Sequence, residues 1–341
     1  MPGIGTPAHL NWRFRIAPNL HAHMTDILFI KTSSLGDVIH HMPALTEARA
    51  RRPDARFAWV VEEAFAPLVR LHPAVDEVIP VAARRWRRAL HLPSTWRAMA
   101  AFRRALRARK FDEIIDTQGL LFKSALIARY AQGRRRGYDR HSIKEPAASW
   151  LYDIKHKVEW NQHAIARNRA LTGEALGYVP EGPPDFGLDR ARLADATAAP
   201  YGVLLHATAR ADKEWPEANW RMLVAALGIK NFDLVVPFGT EAERERAERI
   251  ASASPRARVP ERAPLDQVAR LIAGASFVVG VDTGLLHLAA ALGVPLVAIF
   301  SASEPGLTGP MGAGPITVLG AKGAPPSVAE VVDAVGRHKA G

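Results

Sequence analysis

The chain of 341 residues contains no cysteine. That absence excludes a disulfide scaffold, a thiolate zinc site, an iron–sulfur cluster and a cysteine nucleophile, and it fits a reducing compartment. Aromatic residues are sparse at 7%, but 48% of the chain is apolar and 23% charged, an ordinary globular balance. No apolar core follows Arg13 and Arg15, so residues 1–23 do not read as a secretory signal. They are expected to be an extension ahead of Met24, possible start points being Met1 and Met24. The longest uncharged stretch, residues 283–303, is interrupted by Gly284, His287, Gly293 and Pro295, and reads as helix, turn and strand rather than a membrane span. Also missing are HExxH, GxSxG, GxGxxG, P-loop spacing and paired-histidine metal spacing. The absence of zinc-finger, RNA-recognition and KH signatures argues against nucleic acid as a partner.

Charge is present but unevenly spread. Residues 1–180 carry 29 basic and 16 acidic side chains, net +13, whereas residues 181–341 carry 16 and 18, net −2. Residues 84–110 hold ten Lys and Arg and no acid. A basic half joined to a neutral half implies that one side meets something strongly anionic; a solvated helix face is the plainer alternative for the run itself.

Length predicts two domains, and short apolar runs alternate with helical periods through both. In the first half, strands are expected at 27–31, 57–61, 77–81 and 113–116, with helices over about 37–51 and 94–109. In the second of these helices Trp96, Met99, Ala100, Phe102 and Leu106 are the candidate core residues. A Pro/Gly-rich and then alanine-rich stretch, 181–200, reads as the linker. Strands at 202–206, 234–238, 277–281 and 296–300 follow, with helices at 217–228, 241–253, 265–273, 284–292 and 327–338. The expected organisation is α/β: two Rossmann-like, doubly wound domains, 24–180 and 201–341, facing a central cleft, the last helix free to pack back on the first domain.

Ligands bind outside the carboxyl ends of strands in such sheets, so the residues following each strand carry the argument. After the first strand comes Lys31-Thr32-Ser33-Ser34-Leu35-Gly36-Asp37, where Asp37 is either a helix cap or a carboxylate at the cleft mouth. Gly280-Val281-Asp282-Thr283-Gly284-Leu285-Leu286-His287 turns a buried strand into an apolar helix whose first N–H groups form a diphosphate seat. His287 there either faces the ligand or packs against the helix. In His206-Ala207-Thr208-Ala209-Arg210-Ala211-Asp212-Lys213, Lys213 offers a point charge and Thr208 a neutral donor. A solvated loop is the plain alternative. Near Gly239, Glu241, Glu243 and Glu245 crowd a helix start, and any one of them suits two ribose hydroxyls or merely a solvated helix start.

In this order, and with Asp116-Thr117-Gln118-Gly119 and Lys123-Ser124 after the fourth strand, these segments resemble the lipopolysaccharide heptosyltransferases of glycosyltransferase family 9. The resemblance runs from about Met24 to near the end. It implies a GT-B architecture and an inverting, metal-independent transferase without a cofactor beyond its donor, ADP-L-glycero-β-D-manno-heptose. The implied acceptor is the Kdo residue of Kdo2–lipid A. The Lys-Thr-Ser-Ser-x-Gly-Asp opening favours that acceptor over a heptose acceptor, which is the alternative within the family. A non-catalytic basic protein is the alternative outside it. By the family pattern Asp37 is the catalytic base, and Thr208, Lys213, Glu243, Asp282, Thr283, Gly284 and His287 hold the donor, with Lys213 also assisting the departing ADP. Glu243 fits the family's Gly-x-x-x-Glu spacing from Gly239. Where the family often has two adjacent hydroxyl residues, this chain has Thr208-Ala209. Acceptor candidates are Ser34, Gly36, Gln118, Lys123, Arg84 and Arg85, with the Arg134–Arg136 cluster beside them. The resemblance further implies a cytoplasmic monomer working peripherally at the inner membrane.

Overall fold

The computed structural model describes residues 24–195, 197–302 and 306–339; the expected extension, 1–23, lies outside them. The first sheet contains β1 (Asp26–Ile30), β2 (Arg56–Glu62), β3 (Glu77–Val81), β4 (Lys110–Asp116), β5 (Gln132–Tyr138) and β6 (Ile154–His156). Its spatial order is β3-β2-β1-β4-β5-β6. The second contains β7 (Tyr201–Leu205), β8 (Asp233–Val235), β9 (Ala257–Arg258), β10 (Phe277–Val281), β11 (Leu296–Ile299) and β12 (Ile316–Leu319), ordered β12-β11-β10-β7-β8-β9. Counted within each domain, both orders are 3-2-1-4-5-6, the doubly wound Rossmann arrangement. All pairings are parallel.

The central strands are continuous apolar runs because helices cover both of their faces. Phe29 in β1 sits in register with Trp59 of β2 and Ile115 of β4, all three fully buried. Order reversal falls between β1 and β4 in one sheet and between β7 and β10 in the other. The loops leaving those four strands are therefore the ones that open into crevices.

Three features differ from the sequence reading. Strands β5, β6, β9 and β12 and the helix Ala164–Leu176 are additional. In the helix Pro93–Arg107 the inner positions are Thr95, Met99, Phe102 and Leu106, while Trp96 and Ala100 point to solvent. The final helix Val328–Lys339 packs Val331, Ala334 and Val335 into the second sheet's own core, not back on the first domain.

The linker is pinned at both ends. The Arg169 guanidinium donates to the carbonyls of Glu181 and Gly182. Arg190 donates to the carbonyls of Ala273, Ala275 and Gly293 in the second domain.

Candidate active site

The two crevices face one another. A Cβ on Gly36 would sit 3.1 Å from His287 Cδ2, and a Cβ on Gly284 would sit 2.6 Å from the Leu35 side chain. The helix Leu35–Arg51, leaving β1, thus abuts the helix Gly284–Ala291, leaving β10.

On the first side the strand-end loops are locked together. Gln118 Oε1 accepts from the Thr32 N–H at 2.7 Å and the Thr32 hydroxyl at 2.8 Å, while its Nε2 donates to the Ser33 carbonyl at 2.8 Å. Gln118 is thereby committed to holding the β1 loop, a use that its place among the acceptor candidates did not foresee. Asp116 anchors the other loop: Oδ1 accepts from the N–H groups of Gln118 and Gly119, and Oδ2 from the Tyr152 hydroxyl at 2.6 Å. Burial pushes the Asp116 carboxyl up against these hydrogen bonds. Gly119 adopts φ +68°, a left-handed turn that favours glycine. Beneath them the buried Lys31 ammonium donates to the Thr117 carbonyl at 2.9 Å and to Asn168 Oδ1 at 3.3 Å. Burial lowers its pKa, opposed by the charges of Asp37 and Asp116.

Asp37 sits in the first turn of its helix, half-buried. Its Oδ2 accepts from the Ser34 N–H and the Ser34 hydroxyl, both at 2.8 Å. Oδ1 has no hydrogen-bond partner among the described residues. The two sequence-level alternatives, cap and cleft carboxylate, hold together: one oxygen fixes the helix start and the other is open. Ser34 spends its donors on Asp37.

On the second side, Thr208 donates its hydroxyl to the Asp282 carbonyl at 3.0 Å, and Lys213 Nζ lies 2.5 Å from Asp282 Oδ2. These bonds join the loops after β7 and β10. Thr283 is the N-cap of its helix in extended conformation. The N–H groups of Gly284 and Leu285 that follow have no intrahelical partner, as at any helix start, while that of Leu286 donates to the Thr283 carbonyl. Glu243 Oε2 accepts from the N–H groups of Gly239 and Thr240 at 2.7 and 3.2 Å, so this carboxylate both caps its helix and fixes the Gly239 turn. Glu241 and Glu245 make no such bond to the turn.

His287 is buried against Gly36, with Nδ1 3.3 Å from His40 Nε2 and Nε2 3.9 Å from Asp282 Oδ1. His163 stacks edge-on to His40 and donates from Nε2 to the Gly309 carbonyl. Burial lowers His287 to about 4 and His40 to about 2, so both imidazoles are neutral. His40 was missed in the sequence. Its spacing of four from Gly36 puts both on the helix face that meets His287.

The basic candidates divide. Lys123 is exposed on the segment Leu121–Ala125. Arg84 lies 4.9 Å above the Phe65 ring, and Arg85 is paired with Glu63. Arg134 and Arg136 share Glu113, and Arg135 is paired with Asp153, so two carboxylates partly offset the three charges of that cluster. A depression of about 850 Å3 lined by Arg49, Arg52, Arg56 and Asp76 opens elsewhere, at the amino edge of the first sheet. Its arginines bind carboxylates or carbonyls of the protein itself. Among the described residues no group of three or more His, Asp or Glu is placed to hold a metal ion.

Two Rossmann domains with facing carboxyl edges, Asp37 on one and the start of the helix Gly284–Ala291 on the other, form the GT-B arrangement of the glycosyltransferases. The sequence model for "Glycosyltransferase family 9 (heptosyltransferase)" matches residues 99–332. The lipopolysaccharide heptosyltransferase 1 of Salmonella typhimurium is 45% identical over 289 residues, covering 84% of this chain and 91% of the relative. The E. coli heptosyltransferase WaaC, solved with ADP, superposes with a TM-score of 0.86 at 39% identity, covering 92% of this chain and 100% of that one. The same enzyme solved with ADP-2-deoxy-2-fluoro heptose gives 0.82, covering 93% and 99%. By contrast, the heptosyltransferase 2 of Salmonella typhimurium is 26% identical, covering 84% of this chain and 85% of the relative. The chain belongs to glycosyltransferase family 9.

Proposed function

We propose that this enzyme transfers L-glycero-D-manno-heptose from ADP-heptose to the Kdo residue of Kdo2–lipid A, with inversion, as a lipopolysaccharide heptosyltransferase of type 1. The observation that carries the reading is the junction at Gly36 and His287, which sets the Asp37 turn beside the segment Asp282–His287. Identity of 45% to a type 1 relative against 26% to a type 2 relative favours a Kdo acceptor over a heptose acceptor.

The chemistry follows from the two sides. Asp37 Oδ1 takes the proton of the acceptor hydroxyl while that oxygen forms its bond to the anomeric carbon. The bond from that carbon to the diphosphate breaks, and its electron pair leaves on ADP. Lys213, drawn from Asp282 to the phosphates, and the N–H groups of Thr283, Gly284 and Leu285 meet the developing charge. Preorganised donors of this kind suffice without a metal. Glu243, beside the Gly239 turn, is the hydroxyl-accepting carboxylate for the donor. Lys123, Arg84 and Arg85 lie on the acceptor's half and suit its carboxylates and phosphates. Among the described residues no helix is long and apolar enough to cross a membrane. On this reading a monomer meets the lipid-borne acceptor peripherally, at the cytoplasmic face of the inner membrane.

The test is ADP release from ADP-heptose in EDTA, with and without de-acylated Kdo2–lipid A. Acceptor-dependent release supports donor, acceptor and metal independence together. Tight ADP binding with release only on a heptose-terminated acceptor points to the type 2 reaction. Loss of turnover in EDTA, restored by Mg²⁺, contradicts the metal-free step.

A further inference from the structure

We infer that residues 84–97, the segment following β3, form a docking edge for an anionic lipid bilayer. The inference rests on the transfer reading for its purpose, since a lipid-borne acceptor must be met at a membrane surface. Its support is independent of that reading.

Three large apolar side chains stand out of this segment: Trp96 is 57% exposed, Leu90 46% and Leu92 43%. They lie within one turn and the helix start that follows it. Trp96 Nε1 donates to the Leu90 carbonyl at 2.8 Å, which fixes the indole against the turn and leaves most of it in solvent. The helix Ala83–Arg88 buries no residue, and the helix Pro93–Arg107 buries only Thr95 and Leu106. Beside the apolar tip, Arg87, Arg88 and Arg97 are exposed and make no ion pair among the described residues. Elsewhere in the same domain each arginine of β5 pairs with a carboxylate, Arg134 and Arg136 with Glu113 and Arg135 with Asp153. Here the run of ten basic residues contains no acid.

Apolar and aromatic side chains ringed by unmatched guanidinium groups suit an interface with lipid on one side and anionic headgroups around it. Tryptophan is enriched at the headgroup level of a bilayer, and surface-bound segments set basic residues beside Trp and Leu. Single-stranded nucleic acid would use the charge and an aromatic face, but it has no use for Leu90 and Leu92. The placement also fits. The segment leaves the sheet at the carboxyl end of β3, the edge on which Ser34 and Asp37 open, so a bilayer touching it lies on the cleft side.

Flotation of the full chain with vesicles tests this. Phosphatidylcholine vesicles are compared with vesicles containing about 30% phosphatidylglycerol, at about 0.1 and 0.5 M salt. The wild-type chain is expected to float with the anionic vesicles alone, and less at high salt. The combined Leu90→Ser, Leu92→Ser, Trp96→Ser variant should lose about tenfold or more of that partitioning, with ADP affinity and turnover of the de-acylated acceptor unchanged. A separate Arg87→Gln, Arg88→Gln variant should lose most of the salt dependence. Flotation of the apolar variant equal to wild type, or no flotation of the wild type, overturns the inference. So does tight binding to a single-stranded RNA with none to vesicles. Flotation needs no nucleotide sugar, so its failure leaves the transfer reading standing, and absent turnover with normal flotation removes only the transfer reading.

Discussion

The two domains share one strand order and differ in how their strand-end loops are joined. In the first, Gln118 spans from the β4 loop to the β1 loop with three hydrogen bonds, and Asp116 and Tyr152 back it from below. In the second, the Thr208 hydroxyl and the Lys213 ammonium both reach Asp282 and join the loops after β7 and β10. The first is a clamp with its polar groups matched internally, suited to presenting a base at a fixed position. The second is held by a cation that a diphosphate can take over. On the proposed reading, the scaffold divides the work of transfer between a clamped acceptor side, net +13 over residues 1–180, and an exchangeable donor side, net −2 over residues 181–341.

This division can be broken at graded cost. Asp37→Ala removes the proposed base and should lower kcat by about 10²–10⁴ with ADP affinity intact, as read by acceptor-dependent ADP release and calorimetry. Lys213→Ala should lower kcat by about 10²–10³ and weaken ADP binding as well, because its charge serves both the ground state and the departing diphosphate. Gln118→Met frees the β1 loop. A loss of about tenfold in kcat is expected, with the donor KM unchanged, since misplacing Asp37 costs rate without touching the donor seat. A shift in donor KM instead would mean that Gln118 acts across the cleft.

The smallest effect concerns the junction itself. His287 and His40 are held at about 4 and about 2 by burial, below the ordinary histidine range. Below about pH 6.5 the unfolded chain therefore binds more protons at these rings than the folded one. Their contribution to stability is complete above that pH and is lost as pH falls toward about 4 for His287 and about 2 for His40. The melting temperature should decline as the buffer goes from pH 7 to pH 5, and less steeply in His40→Leu. An equal decline in that variant would assign the acid sensitivity elsewhere.

Much of this was legible in the residues themselves. Strands β1 to β4 and β7, β8, β10 and β11 are apolar runs bounded by turn residues, and burial on both faces makes such runs conspicuous. Strand β5, Gln-Gly-Arg-Arg-Arg-Gly-Tyr, was not, because its middle is three arginines whose partners are Glu113 on the neighbouring strand and Asp153 in the next loop. Charge matching across strands leaves no periodic trace. Trp96 was misassigned to the core for a related reason: helical spacing marks an apolar residue, but not whether the neighbouring element covers it. In the site, strand-end position singled out Asp37, Lys213 and Asp282. It did not distinguish Gln118 the clamp from Gln118 the ligand contact, because that depends on partners 85 and 86 residues away. His40 stayed hidden as one histidine in an apolar helix until His287 faced it.

The division of labour is tested most directly by measuring ADP affinity and acceptor-dependent turnover on Asp37→Asn and Lys213→Ala side by side. The account requires Asp37→Asn to keep the wild-type ADP affinity while turnover collapses, and Lys213→Ala to lose both. Retained turnover in Asp37→Asn, or ADP affinity that falls with Asp37 and not with Lys213, would contradict it.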